Sequence, residues 1–235
     1  METIYTIPVN EAFSAVKEDP ALGCPLCRLY DKLEEDELDR ILGAAMMEPD
    51  VRLKTNEEGF CHRHFGRMYK KKNRLGLALM LESHLPEIQK RLSGKGIGAI
   101  RGGASAESMR RLTKYENSCY LCNRIDMHLS HMRETVVYLF FADPGFRKNF
   151  AATPFFCLPH YKALLDTATK DLPKKNFAMF YETVSHLEET ALDALKKDVS
   201  WFCKKFDYRY EEEPWYNAKD AVERAIALLS GTQKD

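Results

Sequence analysis

The pattern Cys-x2-Cys…Cys-x2-His occurs twice in this chain, as Cys24/Cys27…Cys61/His64 and Cys119/Cys122…Cys157/His160. Six of the seven cysteines belong to it, and only Cys203 stands outside. Three thiolates and one imidazole form a closed tetrahedral shell of the kind that holds structural zinc. Such a shell dominates folding, because an apparent binding energy of about 10–16 kcal/mol rivals the stability of a whole domain. Nearness in sequence divides the ligands into two sets, Cys24/Cys27/Cys61/His64 and Cys119/Cys122/Cys157/His160. The expected cofactor is Zn2+, two per chain. A closed shell leaves no position for water or substrate, so the sites read as structural. Iron–sulfur clusters with one His ligand each are the alternative, since soft thiolates accept both metals. A thiol–disulfide pair is a further reading, because CPLC has the CxxC form. Redox folds place that motif after a strand, and strand signals are scarce here.

The two sets lie inside an internal repeat. GCPLCRLYDKL (23–33) aligns with SCYLCNRIDMHL (118–129) at an offset of 95. EPDVR (48–52) falls on DPGFR (143–147) at the same offset, GFCHRHF (59–65) on FFCLPHY (155–161) at 96, and SHL (83–85) on SHL (185–187) at 102. Blocks kept in order, with a slow drift from small insertions, are what duplication produces.

The expected fold is all-α: two pseudo-symmetric helical repeats, each clasped by its own Cys3His site, followed by an aromatic tail and a short helix. Residues 1–92 form the first repeat, 93–107 a Gly-rich linker, 108–200 the second repeat and 201–235 a tail packed on both. Pro25 suits a first helical turn, and Leu26, Leu29, Tyr30, Leu33, Ile41, Leu42 and Ala45 recur at helical spacing. A turn at EPD and a loop with Asn56 and Gly59 come next. Further helices run from about Cys61 and over Leu75–Leu92, the last with Leu77, Leu81, Leu85, Ile88 and Leu92 on one side. The second repeat reads as helices near 120–141, 158–170 and 175–200, with a turn at ADPG. Five of the twelve glycines fall in the linker. Asn217 is the expected cap of the last helix, and Gly231 follows its end.

Apolar residues make up 45 % of the chain and the formal charge is zero, which disfavours a globally basic nucleic-acid binder. The charge is uneven, however. Residues 1–60 carry 6 basic and 14 acidic side chains, and residues 61–114 carry 13 and 3. Arg63, Arg67, Lys70, Lys71, Lys72 and Arg74 are therefore candidate anion-binding residues. The alternative is that they face the acidic helix DKLEEDELD (31–39) of the same repeat. His84 and His186 occupy equivalent SHL positions; they are candidates to hydrogen-bond metal ligands from behind or to line a pocket. Trp201, Trp215 and Tyr216, in a dense aromatic tail, are candidate partner contacts; docking on the chain's own helices is the default. Cys203 is expected to pack as an apolar side chain. The start has no basic segment followed by an apolar run, and the richest apolar run, TVVYLFFA (135–142), is too short for a span. A soluble, cytoplasmic protein with reduced thiols and no membrane partner is expected.

The motifs CPLC…GFCHRH and the tail KFDYRY…PWYNAKDAVERAI resemble an uncharacterised bacterial family of cysteine-rich helical proteins, catalogued as a domain of unknown function. The resemblance covers nearly the whole chain. It implies a cytoplasmic bacterial protein in which the Cys/His half-sites matter, and it implies no activity. The chain holds no phosphate-binding Gly loop and no GxSxG or HExxH motif. The expected role is a non-enzymatic scaffold or adaptor that binds a protein partner. The alternatives are a nucleic-acid-binding regulator using residues 63–74, and an iron–sulfur or thiol redox protein.

Overall fold

Pro25 opens a helix whose first turn needs no N–H from it, and that helix runs to Leu42. The computed structural model describes residues 3–93 and 103–231. Among these residues there are eleven α-helices, four short 3-10 turns and no strand. In chain order the helices are α1 (Thr6–Glu18), α2 (Pro25–Leu42), α3 (Pro49–Glu58), α4 (His62–Lys70), α5 (Arg74–Leu92) and α6 (Ala104–Glu116). They continue as α7 (Tyr120–Ala142), α8 (Pro144–Ala151), α9 (Leu158–Asp171), α10 (Lys174–Lys204) and α11 (Ala221–Ser230). The all-α expectation holds.

Several local expectations change. The EPD and ADPG turns are the starts of the short helices α3 and α8. Pro49 and Pro144 sit at their first positions. Asp143 caps α8 by accepting from the N–H groups of Gly145 and Phe146, at 2.7 and 3.2 Å. Where a turn was expected, each Pro starts a helix. The last residues of the expected linker belong to α6, and residues 94–102 lie outside the described residues. Helix α10 runs past residue 200 to Lys204, so Cys203 is helical, and it is exposed rather than packed. Helix α11 starts after Asp220, not at an Asn217 cap. On α5 the buried face is Leu77, Met80 and His84, while Leu85 and Leu92 are exposed. Repeated steps of four drift around a helix of 3.6 residues per turn, so an unbroken leucine row leaves the core.

The chain divides into two compact units that are not the two sequence repeats. One contains residues 1–31 and 129–235, the other residues 32–128. The chain changes unit within α2 and within α7. The first unit has an aromatic core built from α1, α7, α8, α10 and the segment before α9. Phe13, Phe140, Phe146, Phe150, Phe156 and Phe180 are all at most 1 % exposed. Their rings pack at centroid distances such as 4.9 Å (Phe13–Phe146) and 5.0 Å (Phe140–Phe150, Phe140–Phe180), in the tilted and edge-on range that aromatic pairs favour. In this unit α11 packs on α9 and α10. The second unit is aliphatic and sulfur-rich, with Leu38, Ile41, Met68, Leu77 and Met80 buried. Among the described residues no helix is long and apolar enough to cross a membrane.

Phe150 touches five other core rings. Phe150→Ala is expected to cost about 3–5 kcal/mol, read as a lower denaturation midpoint with the slope unchanged.

Candidate metal centres

All four half-sites are built alike. Cys61 and Cys157 have extended backbone and precede α4 and α9. Their carbonyls accept the first helical bonds, from Phe65 at 3.0 Å and Tyr161 at 2.8 Å. Cys24 and Cys119 do the same before α2 and α7, accepting from Arg28 at 3.3 Å and Asn123 at 3.0 Å. The second ligand of each pair, Cys27, His64, Cys122 or His160, comes three residues later, one turn up the same side. Each pair is thus half a tetrahedron at a helix start. There the free N–H groups and the dipole favour thiolates.

The half-sites combine across the sequence repeats. One centre is Cys24/Cys27/Cys157/His160 and the other is Cys61/His64/Cys119/Cys122; in each, the four donor atoms lie within 4.8 Å of one another. The eight clustered residues are those expected, but their division into sets is corrected. The reason lies in the packing. The chain passes from one compact unit into the other within α2 and again within α7, so Cys24 and Cys27 share a unit with Cys157 and His160, and Cys61 and His64 share one with Cys119 and Cys122. The first centre lies wholly in the unit formed by 1–31 and 129–235, the second wholly in 32–128.

The donor atoms are spaced as one ion requires. Bond lengths of 2.3 Å to sulfur and about 2.05 Å to nitrogen make tetrahedral edges of about 3.8 Å (S···S) and about 3.6 Å (S···N). In the first centre, Cys27 Sγ and Cys157 Sγ are 3.6 Å apart. His160 Nδ1 lies 3.6, 3.4 and 3.1 Å from the sulfurs of Cys24, Cys27 and Cys157. In the second, Cys61 Sγ and Cys122 Sγ are 3.9 Å apart. His64 Nδ1 lies 3.3, 3.2 and 3.4 Å from the sulfurs of Cys61, Cys119 and Cys122. Sulfurs this far apart are not disulfides.

Charge also favours a cation. Hydrogen bonding from Cys157 and Cys24 holds Cys27 far below the ordinary thiol range, while burial drives Cys24 well above it. In the second centre the Cys122 hydrogen bond draws Cys119 down to about 3, and Cys119 in turn drives Cys122 far up. Thiols crowded this closely oppose one another's ionisation. A divalent ion removes that conflict.

The surroundings of the centres differ. Next to the second, Gly59 turns with φ +67°, and the Tyr115 ring fills the space where a Cβ would stand. The Gly59 carbonyl accepts from Tyr120 N–H at 2.9 Å, joining the two half-sites. His64 Nε2 is 3.0 Å from Glu34 Oε1, and Glu34 is fully buried and also paired with Arg63 and Arg67. Burial pushes His64 down, but hydrogen bonds to Cys119 and Glu34 outweigh it and raise the imidazole to about 9. Above the first centre, Gly231 (φ +86°) ends α11 so close that an added Cβ would lie 3.4 Å from Cys157 Sγ and 3.5 Å from Cys27 Sγ. The N–H of Phe156, one residue before Cys157, donates to Glu188 Oε2 at 3.0 Å. Glu188 is buried and its Oε1 has no partner.

The other candidate residues go elsewhere. His84 Nε2 meets Tyr115 OH at 2.8 Å rather than a metal ligand, and His186 lines an open groove with Glu182, Thr183 and Thr190. Arg67 and Lys71 both reach Glu35, Lys71 also meets Asp39 at 2.7 Å, and Arg63 meets Glu34 at 2.9 Å. The basic segment thus faces the acidic side of α2. Arg74 lies over the Tyr69 ring at 3.5 Å, Lys72 takes a positive φ, and Lys70 is exposed. The tail folds onto the end of α10. Trp201 donates to the Pro214 carbonyl at 2.9 Å, and Phe202 packs on Trp215 at 5.8 Å. Lys205 donates to the carbonyls of Tyr210, Glu211 and Glu213 at 2.6–2.7 Å. Tyr216 stays 68 % exposed.

A family described as "Family of unknown function (DUF6062)" matches residues 1–235. The chain belongs to this family. No curated protein and no solved structure matches it. For this DUF6062 chain, the site residue that sequence reasoning missed is Glu34. Its one signal was position: it lies seven residues after Cys27, on the same face of α2 as Leu38 and Ile41, where a carboxylate needs a buried partner.

Glu188 supplies a pH test. Burial raises its carboxyl to about 7 against a weaker pull from the Phe156 N–H. The folded state therefore holds a proton that the unfolded state releases near pH 4. Stability should fall between about pH 4 and pH 7. Glu188→Gln is expected to remove this slope and to gain about 1–3 kcal/mol at pH 8, measured by denaturant titration at pH 5.5 and 8.

Proposed function

We propose that this protein is a non-enzymatic, zinc-bound scaffold of duplicated origin, in which two structural ions clasp two units and hold an aromatic tail in place for a protein partner. The carrying observation is the pair of Cys3His clusters with single-ion spacing. The spacing favours one ion over an iron–sulfur cluster, because a cluster interposes its own iron and sulfide atoms and needs ligands farther apart. Tetrahedral thiolate and imidazole donors with no open position suit structural zinc. The helix order α2–α3–α4–α5 and α7–α8–α9–α10 supports duplication. Six clustered thiols support a reducing, cytoplasmic setting. Within the tail, Phe206 and Tyr208 are 76 % and 85 % exposed, which supports a contact surface made by Tyr216 and its neighbours over one made by Trp201 and Trp215. Three cations of the segment 63–74 are engaged with α2, which weighs against the nucleic-acid reading.

Metal analysis and an absorption spectrum of anaerobically purified protein test the reading. The expected result is two zinc ions per chain and no visible absorbance. Visible charge-transfer bands with iron and sulfide would overturn it in favour of a cluster protein. A chain that takes up no metal would overturn it altogether.

A further inference from the structure

We propose that Glu34 is the positioning residue of the Cys61/His64/Cys119/Cys122 centre, and that it makes this centre hold its ion differently from the Cys24/Cys27/Cys157/His160 centre. The inference rests on the metal reading above. His64 turns Nδ1 to the three sulfurs and Nε2 to Glu34 Oε1, 3.0 Å away. A carboxylate there keeps the proton on Nε2 and the lone pair of Nδ1 on the metal, and it locks the ring plane. Both side chains are 0 % exposed, so the contact is not diluted by water.

A buried carboxylate beside a thiolate cluster is costly unless its charge is balanced. Three thiolates, a neutral imidazole and a divalent ion sum to one negative charge, and Glu34 adds a second. Arg63 and Arg67, both on its carboxylate, supply the two positive charges. With the ion bound, these seven groups and the ion sum to zero.

The other centre lacks this arrangement. At the repeat offsets of 95 and 96, Glu34 corresponds to Leu129, Arg63 to Pro159 and Arg67 to Ala163. His160 is half-buried. Among the described residues its hydrogen-bonding contacts are those of Nδ1 with the three sulfurs. The sequence repeat thus preserved the ligands and left only one centre with a carboxylate behind its histidine.

The test is metal competition on the whole chain. Wild type, Glu34→Gln and Glu34→Ala are stripped, titrated with cobalt(II), and then challenged with zinc and a chromophoric chelator. Helicity is followed at saturating zinc. Wild type is expected to take up two ions, with both ligand histidines in the Nε2–H form by nitrogen NMR and the His64 Nε2 proton, held by Glu34, the slower of the two to exchange with solvent. In both variants one equivalent should weaken by about 10–100-fold while the other and the helicity stay as in wild type. Two unchanged equivalents in both variants would overturn the proposal, and so would two that weaken together. Wild-type protein that binds neither cobalt nor zinc would overturn the metal reading itself, and this inference with it.

Discussion

A cysteine at a helix cap and a second donor three residues on give two metal ligands on one side of a helix start, and that is only half a tetrahedron. Four such halves gather into two Cys3His clusters. Each half is locally easy to form, because the cap carbonyl accepts an ordinary helical bond and the exposed N–H groups suit a thiolate. None is sufficient alone. The chain passes from one compact unit into the other within α2 and again within α7. Each half-site therefore closes on its counterpart from the other repeat, and the compact units take residues from both repeats.

That exchange explains the character of α2. Read as a sequence, DKLEEDELD is an acidic helix that the basic segment 63–74 could face. In the structure Glu34 is fully buried and Glu37 nearly so. Glu37 holds Arg40 at 2.7 Å and Arg124 at 2.8 Å. Burial raises its carboxyl, but the hydrogen bonds from Arg124 and Arg40 outweigh burial and hold it below the usual range. The acidic surplus of residues 1–60 and the basic surplus of 61–114 meet inside one unit. Breaking such a pair strands a buried charge, so these residues join the two metal half-sites to the packing around them.

The other unit solves a different problem. Its centre is roofed by the C-terminal end of α11, where Gly231 approaches two of the ligand sulfurs at a positive φ that disfavours side chains. Beneath lies the phenylalanine core, and Glu188 holds the backbone just before Cys157. The aromatic tail is tied down by Lys205, whose ammonium gathers three carbonyls. That leaves Tyr208 and Tyr216 outward.

Spacing alone was enough to identify the helical class and the eight residues that gather into two Cys3His clusters. Helical periodicity and ligand chemistry are local, and they survive in the one-dimensional pattern. The pairing of half-sites was not legible as sequence proximity, because it is set by packing between segments far apart in the chain. Helices α3 and α8 were hidden by prolines that start helices as readily as they end them. Glu34 was hidden because a carboxylate on an acidic helix looks solvated until Arg63, Arg67 and His64 are brought to it. Donor types and their order belong to the sequence. Which donors share an ion, and which charges lie behind them, were decided by tertiary packing, since those contacts join residues roughly thirty to more than a hundred positions apart.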